Sequence, residues 1–158
     1  MAQPADEFEH FVQAQSAVYD QVRSELARGR KRSHWMWFIF PQVKGLGYSS
    51  MSRKYSVDSL DQAQRYLAHG VLGPRLAECT DLVLQVQGRT ASEIFGYPDD
   101  LKFRSSLTLF AICSPPKSVF ARALDKYFSG EPDPKTLQLL KLGLEAWNRA
   151  VHPNQDQP

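Results

Sequence analysis

The spacing of apolar positions predicts helices along nearly the whole chain. Phe8, Phe11, Val12, Val18, Tyr19, Val22 and Leu26 recur at three- and four-residue steps, with one polar member, Gln15. That is a single helical stripe. Asp6 is placed to cap its start and Gly29 to end it, with basic residues at the negative end of the helix dipole. Gln15 sits on the apolar face, so its amide needs partners inside the core and reads as tied to a neighbouring loop.

The stretch that organises the rest is Lys31 to Ser50, KRSHWMWFIFPQVKGLGYSS. Six large apolar residues, Trp35 to Phe40, run together between a basic entrance and a glycine-rich exit. Ser33 is placed to cap a short helix, and Pro41 ends it. A strand competes for so short an aromatic run, but the helical neighbours favour helix. Val43 to Ser50 reads as a loop.

Further on, Ser59-Leu-Asp-Gln62 and Thr90-Ala-Ser-Glu93 have the capping-box pattern. The first opens a helix to about His69, followed by a break at Gly70 to Gly73. Pro74 suits a first turn, and Leu76, Cys79, Leu82, Val83 and Val86 carry a helix to Gly88. The second box opens a short helix ending at Gly96. Pro98 starts the next, whose second half, Leu107 to Cys113, is apolar on every face and therefore buried. Ser114, Pro115 and Pro116 begin another, striped by Val119, Phe120, Ala123, Leu124, Tyr127 and Phe128. Asp133-Pro134 restarts the chain, with Leu137, Leu140, Leu144 and Trp147 along the last helix. The expected architecture is all-α, a compact bundle of about seven helices around a buried central one. It comprises a flexible N-terminus over 1–5, one helical domain over 6–148, and a flexible tail over 149–158 that is polar from Pro153.

Composition refines this reading in a few places. At 158 residues the chain is one domain with a sizeable core. The net charge of +2 argues against nucleic acid as a partner. The two cysteines, Cys79 and Cys113, lie in apolar helical patterns and read as reduced and structural. No metal ligands stand at telling spacing, and neither a metal nor a cofactor is expected. The longest apolar run has six residues, against the ~20 a membrane span needs. The N-terminus lacks a signal-peptide core, so a cytoplasmic location without membrane association is expected.

Charge is unevenly placed. Arg28, Arg30, Lys31 and Arg32 cluster, followed by Lys44, Arg53 and Lys54. Three constellations carry candidate chemistry. Lys31, Arg32, His34, Trp35 and Trp37 combine cations with aromatic faces, the groups that meet phosphate and stack planar rings. Gln42, Lys44, Gly45 and Gly47 form a loop able to wrap an anion with backbone N–H groups. Its GxG pair lacks the third glycine of a dinucleotide fingerprint. Asp99, Asp100, Lys102, Arg104, Ser105 and Ser106 lead into the buried helix, with Asp100 placed to pair with Arg104 and Lys102 and Ser105 at the floor of a pocket. No nucleophile–base, paired-carboxylate or metal motif accompanies them.

The run His34-Trp-Met-Trp-Phe-Ile-Phe-Pro-Gln42, followed by Gly45-Leu-Gly47 and Ser50, resembles the signature of a bacterial domain-of-unknown-function family, number eighteen-ten, often mislabelled calpastatin. Ala14-Gln15, Tyr66-Leu67, Leu72-Gly73, Ser105-Ser106 and Thr108-Leu109-Phe110 extend the match over about Phe8 to Trp147. Gly70 stands where the family has proline. The resemblance implies an all-helical fold of its own type and no particular activity. The calpastatin label does not suit a chain with a dense core. Ala14-Gln15 and the buried late helix are also similar to the helical NADAR domains, which implies ADP-ribose-related chemistry.

The leading expectation is a site for an anionic, nucleotide-like or ADP-ribose-related small molecule. Trp35 or Trp37 would stack its ring, and Lys31, Arg32 and Lys44 would meet phosphate. Gln42, Gly45, Gly47 and Ser105 would complete the pocket. His34 and Lys102 are the catalytic candidates, for glycosidic or phosphate-ester hydrolysis if there is turnover. The alternative is a protein-interaction module that exposes Trp35 to Phe40 without catalysis. A pocket lined by His34, Gln42 and Lys102 distinguishes the first from the second.

Overall fold

The computed structural model describes residues 6–153. The expected loose N-terminus, 1–5, and the last five residues of the expected tail lie outside that span. Eleven helices occur among the described residues: α1 (Glu9–Ser16), α2 (Tyr19–Ala27), α3 (Met36–Ile39), α4 (Ser50–Lys54), α5 (Leu60–Ala68), α6 (Leu72–Gln85), α7 (Ala91–Phe95), α8 (Asp99–Ile112), α9 (Val119–Phe128), α10 (Pro134–Leu139) and α11 (Leu144–Val151). The only β pairing there is one parallel bridge, Val43 to Val57. The all-α expectation holds.

α8 is the central helix, packed by α5, α7, α9, α10 and α11. Every residue from Ser105 to Ala111 is buried, as an all-round apolar segment requires. Its buried hydroxyls donate to carbonyls four residues back, Ser105 to Leu101 (3.1 Å) and Thr108 to Arg104 (2.8 Å). Those bonds make polar groups tolerable in a dry interior. α6 packs against α2, α5 and α9. Its C-terminal carbonyls are held by α9: Tyr127 Oη donates to Val83 O, and Lys126 Nζ to Leu84 O and Val86 O.

Several elements differ from their expected form. The first stripe is two helices, broken at Ala17–Val18. Asp6 still accepts the Phe8 N–H at 2.9 Å. Its other oxygen meets His69 Nε2 at 2.8 Å, while His69 Nδ1 accepts the N–H groups of Val71 and Leu72 at the start of α6. The Thr90–Glu93 box is reciprocal. The Ser59–Gln62 box is not, because Gln62 Oε1 takes the Asp58 N–H instead. Ser114 to Pro116 precede α9 as a turn, and Ser118 is its cap. The last stripe is divided into α10 and α11 by a turn in which Lys141 has φ +60°. α11 continues to Val151, which is buried, so helix and core extend past the expected boundary at 148.

The aromatic stretch is core. Trp35, Met36, Phe38, Ile39 and Phe40 are all buried, and only Trp37 is half-buried. Phe40 meets Phe103 of α8 edge-on at 4.9 Å, and Phe103 packs on Phe95 at 4.6 Å. Ser33 does not cap α3. Its hydroxyl and N–H bond Glu25 instead. The expectation of an exposed Trp35–Phe40 anchor patch is therefore overturned: burial of five of the six residues leaves no such surface.

Candidate functional site

α3, the following loop and the first turn of α8 enclose one cleft. Its lining is Met36, Trp37, Gln42, Val43, Gly45, Gly47, Ser52, Tyr55 and Lys102, around a narrow cavity of about 20 Å³ that opens to solvent at its mouth. Local geometry explains the meeting. Pro41 ends α3 and turns the chain out. The Val57 N–H then donates to Gln42 O (2.9 Å) and the Lys44 N–H to Val57 O (2.8 Å), closing residues 42–57 into a loop. Inside that loop Ser49 caps α4 by accepting the Ser52 N–H. Gly47 lies against α4 so closely that an added Cβ would sit 2.4 Å from Ser52 Oγ. Gly45 lies over α10, with Leu139 beneath it.

Lys102 is the cleft's cation. Its Nζ lies 5.2 Å from the Trp37 ring centroid and 3.3 Å from Asp99 Oδ1. Asp99 Oδ2 takes Lys31 Nζ at 2.9 Å, and Lys31 also sits over the Trp35 ring at 5.1 Å. One carboxylate thus positions two lysines, each over a tryptophan. The Gln42 side-chain amide makes no hydrogen bond among the described residues. The backbone N–H groups of Gly45 and Gly47, both in the lining, likewise find no acceptor among the described residues. A cation, a half-buried aromatic face, a free amide and unused N–H donors on one cleft are the groups that hold a planar anion.

Of the sequence-predicted residues, the cleft gathers Trp37, Gln42, Gly45, Gly47 and Lys102. The rest are elsewhere. Trp35 is fully buried and its Nε1 donates to Glu25 Oε1 at 3.0 Å, so it is no stacking platform. Lys31 has a side chain only 7% exposed and is committed to Asp99. His34 is exposed, without a hydrogen-bond partner among the described residues and away from the cleft, so it is not placed for catalysis there. Lys44 is exposed and points no group into the lining. Ser105 is buried and lies within 3.1 Å of both Leu101 O and Asp133 Oδ2. Arg32 lines a separate recess. Asp100 does not pair with Arg104, which binds the carbonyls of Glu131 and Pro132 instead. One carboxylate oxygen of Asp100, Oδ1, is buried without a partner.

Sequence reasoning missed Met36, Val43, Ser52 and Tyr55 as lining, and it missed Glu25 altogether. Glu25 is a charged residue, only 7% exposed, within the α2 stripe. Its carboxylate accepts the N–H groups of Arg32 (2.7 Å) and Ser33 (3.0 Å), the Trp35 indole N–H and the Ser33 hydroxyl (2.6 Å). Burial by itself raises this carboxyl, but the four donors outweigh it and hold it down at about 2. The segment leading into α3 is thereby tied to α2.

No helix among the described residues is long and apolar enough to cross a membrane. Residues 5–140 match the family described as Protein of unknown function (DUF1810). The chain is similar in structure to the conserved hypothetical protein Rv1873 from Mycobacterium tuberculosis. The TM-score is 0.84 with 52% sequence identity, over 87% of this chain and 98% of that one. No curated protein matches.

Proposed function

Because the chain belongs to this family of unknown function (DUF1810), its activity has to be argued from its own cleft, and we propose that the cleft binds an anionic, nucleotide-like small molecule of the ADP-ribose class. The observation that carries the reading is the convergence of Lys102, the Trp37 face, the free Gln42 amide and the unaccepted N–H groups of Gly45 and Gly47. The ligand lies across the mouth of the narrow cleft, with a planar ring against the half-buried Trp37 beside the ammonium, Gln42 bonding a ring edge, and the glycine loop with Lys102 meeting phosphate. Binding is favoured over hydrolysis because no lining residue is a histidine or carboxylate, and a general base must lie within hydrogen-bond reach of its proton.

The test is a thermal-shift series with ADP-ribose, NAD, nucleoside diphosphates and sugar phosphates. A ligand at 100 times its Kd stabilises the fold by about 2.7 kcal/mol, a readily measured rise in Tm. The reading expects such a rise for at least one nucleotide, lost in Lys102→Ala and weakened in Gln42→Ala. No shift across the series, or one indifferent to both substitutions, refutes it.

A further inference from the structure

A second recess, lined by Glu25, Arg28, Arg30, Arg32 and Arg89, lies outside the cleft and has a volume of about 180 Å³. We propose that it is an independent anion site, shaped for a ligand carrying two or more linked phosphate groups. Three features lead there.

The first is how the arginines come together. α2 ends in a Schellman turn: the Gly29 N–H donates to Leu26 O and the Arg30 N–H to Glu25 O, each at 3.0 Å, with Gly29 at φ +73°. Beyond it the connector is free of helix, and alternate residues face opposite ways. Lys31 turns inward to Asp99, while Arg30 and Arg32 are exposed on the recess. Arg89 arrives from the α6–α7 loop, 57 residues after Arg32. Its Cδ lies 3.3 Å from where a Gly29 Cβ would stand, so the buried glycine leaves room for its stem.

The second is that the four guanidinium groups make no contact ion pair. Among the described residues no ion pair involves any of the four arginines. Nor does any of their side chains donate a hydrogen bond to the protein there. The one acid present, Glu25, already has both oxygens occupied by four other donors. A concave surface with a net excess of positive charge raises the local concentration of anions.

The third is stoichiometry. Each guanidinium fork can bond two phosphate oxygens, and four forks suit a linked pair or triplet of phosphates better than a single one. A nucleic-acid strand needs a continuing basic track, and a chain of net charge +2 supplies little beyond the recess.

The experiment is isothermal titration with inorganic tripolyphosphate at low salt. The proposal expects one site per chain, weakened at least about tenfold in the Arg30→Gln/Arg89→Gln variant. It expects no such loss in Arg53→Gln/Lys54→Gln, which removes the same charge from exposed α4. If Arg89→Gln disturbs the fold, Arg30→Gln/Arg32→Gln makes the same test with the Arg89 stem in place. Absence of binding overturns the proposal. So does equal weakening in both charge-matched variants, which indicates general electrostatics. Binding of single-stranded RNA that tightens with each added nucleotide also overturns it, in favour of a nucleic-acid surface.

Discussion

Replacing Glu25 with glutamine keeps the shape of the side chain and removes its charge. Glu25 Oε1 accepts three N–H donors and Oε2 one hydroxyl, so the anion organises residues 32–35 around itself. Its folded pKa of about 2 lies below the ordinary 4.5, a depression of about 2.5 units. At about 1.4 kcal/mol for each tenfold change in acidity, that is roughly 3.5 kcal/mol of stability. A depressed folded value means the contribution is present above the unfolded pKa and lost as pH falls through the folded one. The full contribution is therefore expected at neutral pH, and less than half of it at about pH 3. Urea unfolding of wild type and Glu25→Gln at both pH values measures it. Glu25→Gln should be less stable by about 2–4 kcal/mol at neutral pH, with the gap closing on acidification. A gap that stays constant between the two pH values, or no gap at all, refutes the assignment of this charge to the folded state.

Four further outcomes follow from packing elsewhere in the chain. Gly73→Ala would put a Cβ 2.1 Å from the Leu67 carbonyl oxygen, backbone that cannot step aside, and should cost about 2 kcal/mol or more in chemical denaturation. Gly70→Ala, with nothing within 4 Å of the new methyl, should stay within about 0.5 kcal/mol of wild type. Tyr127→Phe removes the donor to Val83 O at 2.5 Å and should lower stability by about 1 kcal/mol in the same assay. Burial pushes the thiols of Cys79 and Cys113 up to about 12, so neither should react with a disulfide reagent at about pH 8 until the protein is unfolded.

What the sequence made legible was periodicity and punctuation. The all-round apolar run at 107–113 identified the central helix because no solvent-facing helix reads that way. Gly29, Thr90 with Glu93, and Gly96 act on the backbone where they stand, so their sites could be read locally. The breaks at Ala17–Val18 and Leu140–Gly143 could not, because the apolar stripes run on across them. α4 was invisible for the opposite reason: Ser50–Lys54 buries nothing, and it is helical because Ser49 caps it inside a loop closed by Val43 and Val57. That closure joins residues 14 positions apart and leaves no local signature.

The basic cluster shows why half of the expected residues do not reach the cleft. Read along the chain, Arg28, Arg30, Lys31 and Arg32 are one positive patch beside two tryptophans. In space a single buried acid and an extended connector divide them. Glu25 accepts the backbone of Arg32 and Ser33, which fixes the connector's direction and sends Lys31 inward. Lys31 then shares Asp99 with Lys102, so the cation that reaches the cleft comes from α8, not from the cluster. The arginines left outside face Arg89. The controlling residue is one that composition counts only as another negative charge, and its role depends on four donors delivered by the fold. A charge that positions backbone can thus decide which neighbouring charges remain available to a ligand, and such a decision is made in tertiary structure alone.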